Sequence, residues 1–345
     1  MARHGLDERS KDVLKTLILT HIATGEPVGS ETLARHLSGG LSPATIRNIM
    51  ADLEKLGFLS HPHTSAGRVP TDEGYRFYVD SLMGRRPLRP RDTAAIRTGL
   101  SSRDTTPIQV MENASHLLSR LSGSVGFALA PDIARATFRH IDLVQLPHAR
   151  ILVVMVSQTG LVTNRVIGLG EEISQDELQA CANYLNAQFA GMTLAAIRAR
   201  LLELMGQEKA LYDSLLRNAI SVGQHAFSDE GDGGNVFLDG TAKLLEQPEF
   251  VDMAKMQAIF KTFEEKGRLV KILNACISGG GLRVIIGHEN PDPDLRDIAI
   301  VTAGYGEVGW GLGVLGSTRM QYPRVVELVD QVGRAVSEAL TELQA

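Results

Sequence analysis

Apolar residues recur with helical period through the N-terminal part of the chain. Leu14, Leu17, Ile18 and Ile22 predict a helix over residues 7–23, with Asp7 and Glu8 well placed at its positive end. Ser30 to Leu37 predicts a second helix, with Ser30 as its cap, and Ser38 to Leu41 a turn. The next helix is marked at both ends. Ser42 is the N-cap, Pro43 opens the first turn, and Leu41 and Ile46 have the spacing of a hydrophobic staple. Gly57 stops it. Ile46, Ile49, Met50, Leu53 and Leu56 form a core-facing stripe; Ala44, Arg47, Asn48, Ala51 and Lys55 lie opposite. A strand-like Phe58–His61, a polar return through Val69–Pro70, and a helix from Thr71 to Met83 follow. In that last helix the spacing of Tyr75 and Tyr78 places both in the core.

Further along, a helix is predicted over 108–122 and strands over 125–129, 138–145, 150–157 and 161–167. Ile151–Val156 is a continuous apolar run, as in a central strand buried on both faces. A helix near 175–189 precedes a mostly helical block with only Val236–Leu238 extended. Strands return at 282–287, 298–302 and 308–314, and helix 323–343 closes the chain. Strands, a helical block, then strands again are the pattern of an inserted domain. Ile151–Val156 and Leu282–Gly287 are β-prone windows whose pairing is expected to cross that insertion.

Helix, short turn, helix and hairpin make a helix-turn-helix with a wing. The outward face of the second helix suits a major groove: small at Ala44, with Arg47 and Asn48 able to bond base edges bidentately. Ser42 and Thr45 are phosphate or capping groups, and Lys55 adds charge farther along. The return loop carries His63, Thr64, Ser65, Gly67 and Arg68, with Arg68 expected at the tip against phosphate or minor groove. The alternative use of such a module is protein–protein assembly, which predicts no salt-dependent duplex binding.

Three segments resemble the heat-inducible transcription repressor HrcA family: SPATIRNIMADLEKLGFL, HPHTSAGRVPTDEGYRFYVD and, far downstream, GVLGSTRMQY from Gly313 to Tyr322. The resemblance spans essentially the whole chain. It implies an α+β multidomain protein with a winged-helix DNA-binding domain, a GAF-like domain and an inserted, mostly helical dimerisation domain. On the predicted elements these fall at 1–84, then 108–194 with 276–345, and 195–275, with a linker over 85–107. The implied activity is negative regulation of chaperone operons by a homodimer. The implied partners are the CIRCE inverted repeat in double-stranded DNA and the GroE chaperonin.

Charge agrees with a nucleic-acid partner at the N-terminal end. Residues 1–91 hold 13 Lys and Arg against 10 Asp and Glu, net +3, which leaves −8 for the rest of a chain of net −5. The arginines and prolines of Gly84–Arg91 read as a solvated hinge. Cys181 and Cys276, both in apolar surroundings, read as buried thiols. With no apolar leader and no run long enough to span a bilayer, a cytoplasmic protein is expected. His61-Pro62-His63 has no third ligand nearby, and the G-x-G-x-x-G match at Gly311–Gly316 lies in an extended stretch without a βαβ unit. No motif supports catalysis, and neither cofactor nor metal is expected. GAF folds often hold small molecules, so an effector-binding role stands as a further alternative.

Overall fold

The computed structural model describes residues 6–37, 40–62, 67–84, 86–100, 106–129, 137–158, 160, 162–169, 172–205, 214–227, 236–250, 252–277, 281–305 and 311–344. Helix and sheet are mixed throughout, and the chain divides into two compact units. One comprises Met1–Ser101, Glu112–Ala128 and Phe237–Ala335; the other comprises Ser102–Met111, Leu129–Val236 and Val336–Ala345.

The first unit opens with α1 (Glu8–Thr24), α2 (Ser30–His36) and α3 (Pro43–Lys55), then β1 (Leu59–Ser60), β2 (Val69–Pro70) and α4 (Asp72–Phe77), whose last turn widens into a π-helix over Tyr78–Leu82. Helix α5 (Pro90–Leu100) follows. It corrects the expected linker: Pro90 begins a helix instead of breaking one, and Asp92, Ile96 and Leu100 are buried at helical spacing. Asp92 lies 3.4 Å from Arg324, an ion pair that allows a carboxylate inside. Helix α6 (Pro107–Ser122) leads to β3 (Val125–Leu129), the first strand of a five-stranded sheet. The other strands are β7 (Val236–Asp239), β8 (Leu282–Ile286), β9 (Ile298–Gly304) and β10 (Gly311–Ser317), in the order β7-β3-β10-β9-β8. Strands β8, β9 and β10 run antiparallel, with Val284 opposite Val301 and Val301 opposite Val314. The glycine run Gly311–Gly316 lies within β10. Helices α10 (Met253–Glu264) and α11 (Lys266–Ile277) precede β8, and the closing helix α12 spans Tyr322–Gln344.

The second unit holds β4 (Phe138–Leu146), β5 (Arg150–Ser157) and β6 (Val162–Gly168) in an antiparallel sheet with β5 central. Helices α7 (Gln175–Phe189), α8 (Leu194–Met205) and α9 (Ser214–Ala226) belong with it. Ser174 and Glu177 form a capping box at the start of α7. One sheet face is dry: Ile141, Leu143, Ile151, Val153 and Ile167 join Leu178, Cys181, Leu185, Phe189, Ile197 and Leu201 in one core. Burial pushes the Cys181 thiol up to about 11, as for an unreactive core cysteine.

Two expectations change here. Strand β5 is central but not buried on both faces. Leu152, Val154 and Val156 point to the other face with Val144, Val162 and Val166, which are 44%, 49% and 52% exposed. The expected domain limits also move. Strands β4–β6, placed by sequence in the GAF-like part, form this separate unit with α7–α9, whereas α10 and α11 of the expected insertion belong to the five-stranded unit. The physical reason is pairing. Strands β5 and β8 both pair with sequence neighbours, and the long-range joint is made by β3, seated between β7 and β10. Among the described residues no helix is long and apolar enough to cross a membrane.

Leu185 is fully buried where α7 meets the sheet. Leu185→Ala should destabilise the second unit by about 2–5 kcal/mol, the range for such a cavity, read as a lower denaturant midpoint with unchanged slope.

Candidate nucleic-acid interface

Helix α3 is held by the interactions its sequence announces. The Ser42 side chain accepts from the Thr45 N–H at 3.1 Å, a cap of about 1 kcal/mol. Ile46, Met50 and Leu53 are buried. Gly57, at φ +83°, ends the helix in the left-handed region. Leu56 departs from the predicted stripe: it is the C-cap and is 40% exposed, because the helix finishes one residue earlier and the apolar row ends with it. Ser30 is the first helical residue of α2; Gly29 occupies the cap position, with no side-chain bond.

The face opposite the core carries Ser42, Ala44, Thr45, Arg47, Asn48 and Lys55, all exposed. Lys55 forms an exposed ion pair with Asp52 at 2.9 Å, worth little in water and easily exchanged for a phosphate. Arg47 and Asn48 make no hydrogen bond or ion pair among the described residues. A small residue at 44 and free bidentate donors at 47 and 48 are therefore presented from the N-terminal half of the helix.

The two-stranded sheet beside α3 pairs Leu59 with Pro70 and Ser60 with Val69. His63, Thr64 and Ser65 lie outside the described residues. Gly67 and Arg68 are not at the tip of this hairpin, which corrects the expected placement. Arg68 pairs through its backbone with Val28, at 2.9 and 3.0 Å, so the returning leg is held against the segment between α1 and α2. Gly67 is buried and passes so close that a Cβ would stand 2.7 Å from the Pro27 carbonyl carbon. The Arg68 side chain, 20% exposed, turns back to Glu54 on α3, Nε to carboxylate at 2.8 Å. Arg68 thus fixes the hairpin to the helix it flanks. Thr71 adds a second tie, its hydroxyl donating to Gly57 O at 2.6 Å while it caps α4.

Behind the helices, distant motifs meet. Tyr75 and Tyr322 are buried with ring centroids 5.9 Å apart, and His21 Nδ1 lies 2.9 Å from the Tyr75 hydroxyl. Arg319 donates to Ile22 O at 3.0 Å, at the carboxyl end of α1, and its guanidinium pairs with Glu249. Asp72 and Arg76 of α4 reach the turn Gly287–Glu289 that follows β8. Asp72 Oδ2 accepts from the His288 N–H at 2.9 Å, and Arg76 forks onto the Glu289 carboxylate. None of these supporting contacts was legible beforehand, since their partners lie from about fifty to about three hundred residues apart and leave no local signal.

Comparison with known proteins gives the chain its relatives. A family profile described as the HrcA protein C terminal domain matches residues 108–326. The heat-inducible transcription repressor HrcA of Geobacter sulfurreducens is 42% identical over 338 residues, covering 97% of this chain and 98% of its own. Proteins of the same name from Syntrophobacter fumaroxidans and Xanthomonas campestris pv. campestris are 36% and 40% identical. They cover 98% and 97% of this chain, and 98% and 96% of their own lengths. This chain belongs to the HrcA family. A crystal structure described as that of a hypothetical protein at 2.2 Å resolution shares the fold, with a TM-score of 0.64 at 23% identity, covering 99% of this chain and 100% of that one. Family membership agrees with the motifs at both ends of the chain, and in the structure those motifs touch: Asp72-Glu73-Gly74-Tyr75-Arg76 lies in one and Arg319 and Tyr322 in the other.

Burial, and then the nearby Arg319 cation, lower the pKa of His21 below 6.5. The unfolded chain therefore binds this proton more readily than the folded one. The His21 contribution is intact above the unfolded pKa and is lost as pH falls from there through the folded value. The wild-type denaturation midpoint should drop between neutral pH and the acid side of 6.5, and His21→Gln should flatten that drop.

Proposed function

We propose that this chain is a homodimeric repressor of heat-inducible chaperone operons that binds the CIRCE inverted repeat through a winged helix. The observation that carries the reading is the free pair Arg47 and Asn48, exposed beside Ala44 on a capped helix that follows a helix-turn and precedes a hairpin, in a chain related along its length to named repressors. In this reading α3 enters the major groove with Arg47 and Asn48 on base edges. Ser42, Thr45 and Lys55 face phosphates, and the loop His63–Ser65 reaches the flanking backbone or minor groove. Arg68, through Glu54, ties the strand that follows to α3.

The five-stranded unit corresponds to the GAF-like domain and the three-stranded unit to the inserted dimerisation domain. The valine-rich outer face of β4–β6 supports the second assignment: an apolar patch of this kind on a small unit marks an association surface. A two-fold dimer would present two α3 helices to the two halves of an inverted repeat. GroE modulation follows from the family resemblance and is supported by the topology. Strand β3 cannot take its place until β10 has arrived from the far end of the chain, and long-range closure of this kind is slow and exposes apolar strands.

Arg47→Ala and Asn48→Ala should each lower affinity for a CIRCE duplex by about 1–3 kcal/mol and relax base preference, measured by fluorescence anisotropy over a range of salt against a scrambled duplex. Unchanged binding by both variants, with circular dichroism showing an intact fold, would refute the recognition-helix assignment.

Val166→Asp places a charge on the outer β4–β6 face, on the edge strand β6, without touching the core. Light scattering should then report a monomer with weak operator binding. A variant that stays dimeric would move the interface elsewhere.

A further inference from the structure

In an antiparallel sheet, alternate residues of an edge strand turn both main-chain groups away from the partner strand, leaving a template for another strand. Strand β8 is at the end of its sheet. Its outward residues are Leu282, Val284 and Ile286, as two contacts show. Val284 O accepts from Arg76 Nη2 at 2.5 Å, and the Ile286 N–H donates to Glu289 Oε2 at 2.8 Å. Glu289 is itself the carboxylate that holds Arg76. The reader segment, through Arg76 of α4, therefore covers Val284 O and holds the carboxylate that covers the Ile286 N–H.

The contacts at the edge itself are specific and polar, while Tyr75 of the same helix is buried against Tyr322. The Asp72 carboxylate rests on the turn at Gly287, whose φ is +53°, and a Cβ there would collide with it. Only glycine admits this seat. His288 Nδ1 lies 2.6 Å from the same Asp72 oxygen. The charged partners retain solvent access, Arg76 at 24% and Glu289 at 39%, so each contact contributes modestly. The edge of β4 in the other unit is closed differently. There Asn186 pairs with both main-chain groups of Ile141, and Gln175 with Gln145 N and Leu143 O. Both side chains come from α7, whose apolar face is locked into the core.

We propose that α4 is a removable cover for β8, and that β8, once uncovered, pairs with β8 of a second copy of this chain. Leu282-Arg283-Val284-Ile285-Ile286 is β-prone and carries a single charge. Antiparallel pairing about a two-fold axis uses the same residues on both sides, so one copy supplies what the other needs. Releasing the reader and joining two sheets are then linked: a second β8 competes with Arg76 of α4 for Val284 O, and with Glu289, the carboxylate that holds Arg76, for the Ile286 N–H. The inference concerns the support of the reader and stands apart from the base contacts of α3.

The test uses the full-length chain. Arg76→Ala removes the polar cover, and Gly287→Ala pushes Asp72 off its seat. Each is made with and without Val284→Pro, which deletes an outward N–H and leaves the bonds to β9 in place. In sedimentation velocity, Arg76→Ala and Gly287→Ala should give species about twice the wild-type mass or larger, and Val284→Pro should return both to the wild-type mass. Hydrogen exchange on the wild-type chain during mild warming should show the amides of α4 and of Ile286 opening together before global unfolding. Wild-type mass in both single variants, or association that survives Val284→Pro, would overturn the proposal. If Arg76→Ala fails to fold, Gly287→Ala and wild-type exchange decide; amides of α4 and β8 that open only with global unfolding would likewise overturn it.

Discussion

The guanidinium of Arg76 is the point on which the reader's position depends. It spans three partners that belong to different levels of the structure: the Glu289 carboxylate, the main-chain oxygen of Val284 and, at 3.2 Å, Asp80 on its own helix. From this seat a short line of polar contacts runs to α3. Thr71 caps α4 and holds Gly57 at the end of α3, and Arg68, three residues before Thr71, holds Glu54 within α3. The orientation of α3 is therefore set by side chains outside its own exposed face. Arg, and not Lys, suits this position because its planar fork can serve a carboxylate and a carbonyl together.

Much of the architecture was legible along the chain because local rules act on neighbours. The cap at Ser42 and the helix-ending Gly57 are decided within a turn or two. The outward set Ala44, Arg47, Asn48 and Lys55 follows from helical period alone. What was not legible was always a choice between partners. The polar stretch at 84–91 concealed a helix because Ile96 and Leu100 lie beyond it. Ile151–Val156 read as buried on both sides, since an apolar run does not say whether a second layer covers its other face. Arg68 read as a free cation because Glu54 and Val28, which occupy it, come from two earlier segments.

The two sheets meet the same requirement, satisfied edges, with different chemistry. In the three-stranded unit the amides of Asn186 and Gln175 copy the main-chain pattern of a missing strand and are carried by a helix that cannot leave without dismantling its core. Such a unit can offer its valine-rich face to a partner while its edge at β4 stays shut. In the five-stranded unit the corresponding groups of β8 are met by charged side chains, one of them from the DNA-reading segment. The fold thus keeps its exposed valine face and the seat of α4 on separate sheets.

Arg319 and Tyr322 give the reader its last supports, one at the carboxyl end of α1 and the other against Tyr75. Both are made some three hundred residues after the helix that Arg319 steadies. A ribosome translating this chain releases α1 to α4 long before the side chains that brace α1 and α4 emerge. Chains cut short before residue 319 carry the whole reading surface without its backing. Completeness of the polypeptide is in this way written into the posture of its first domain.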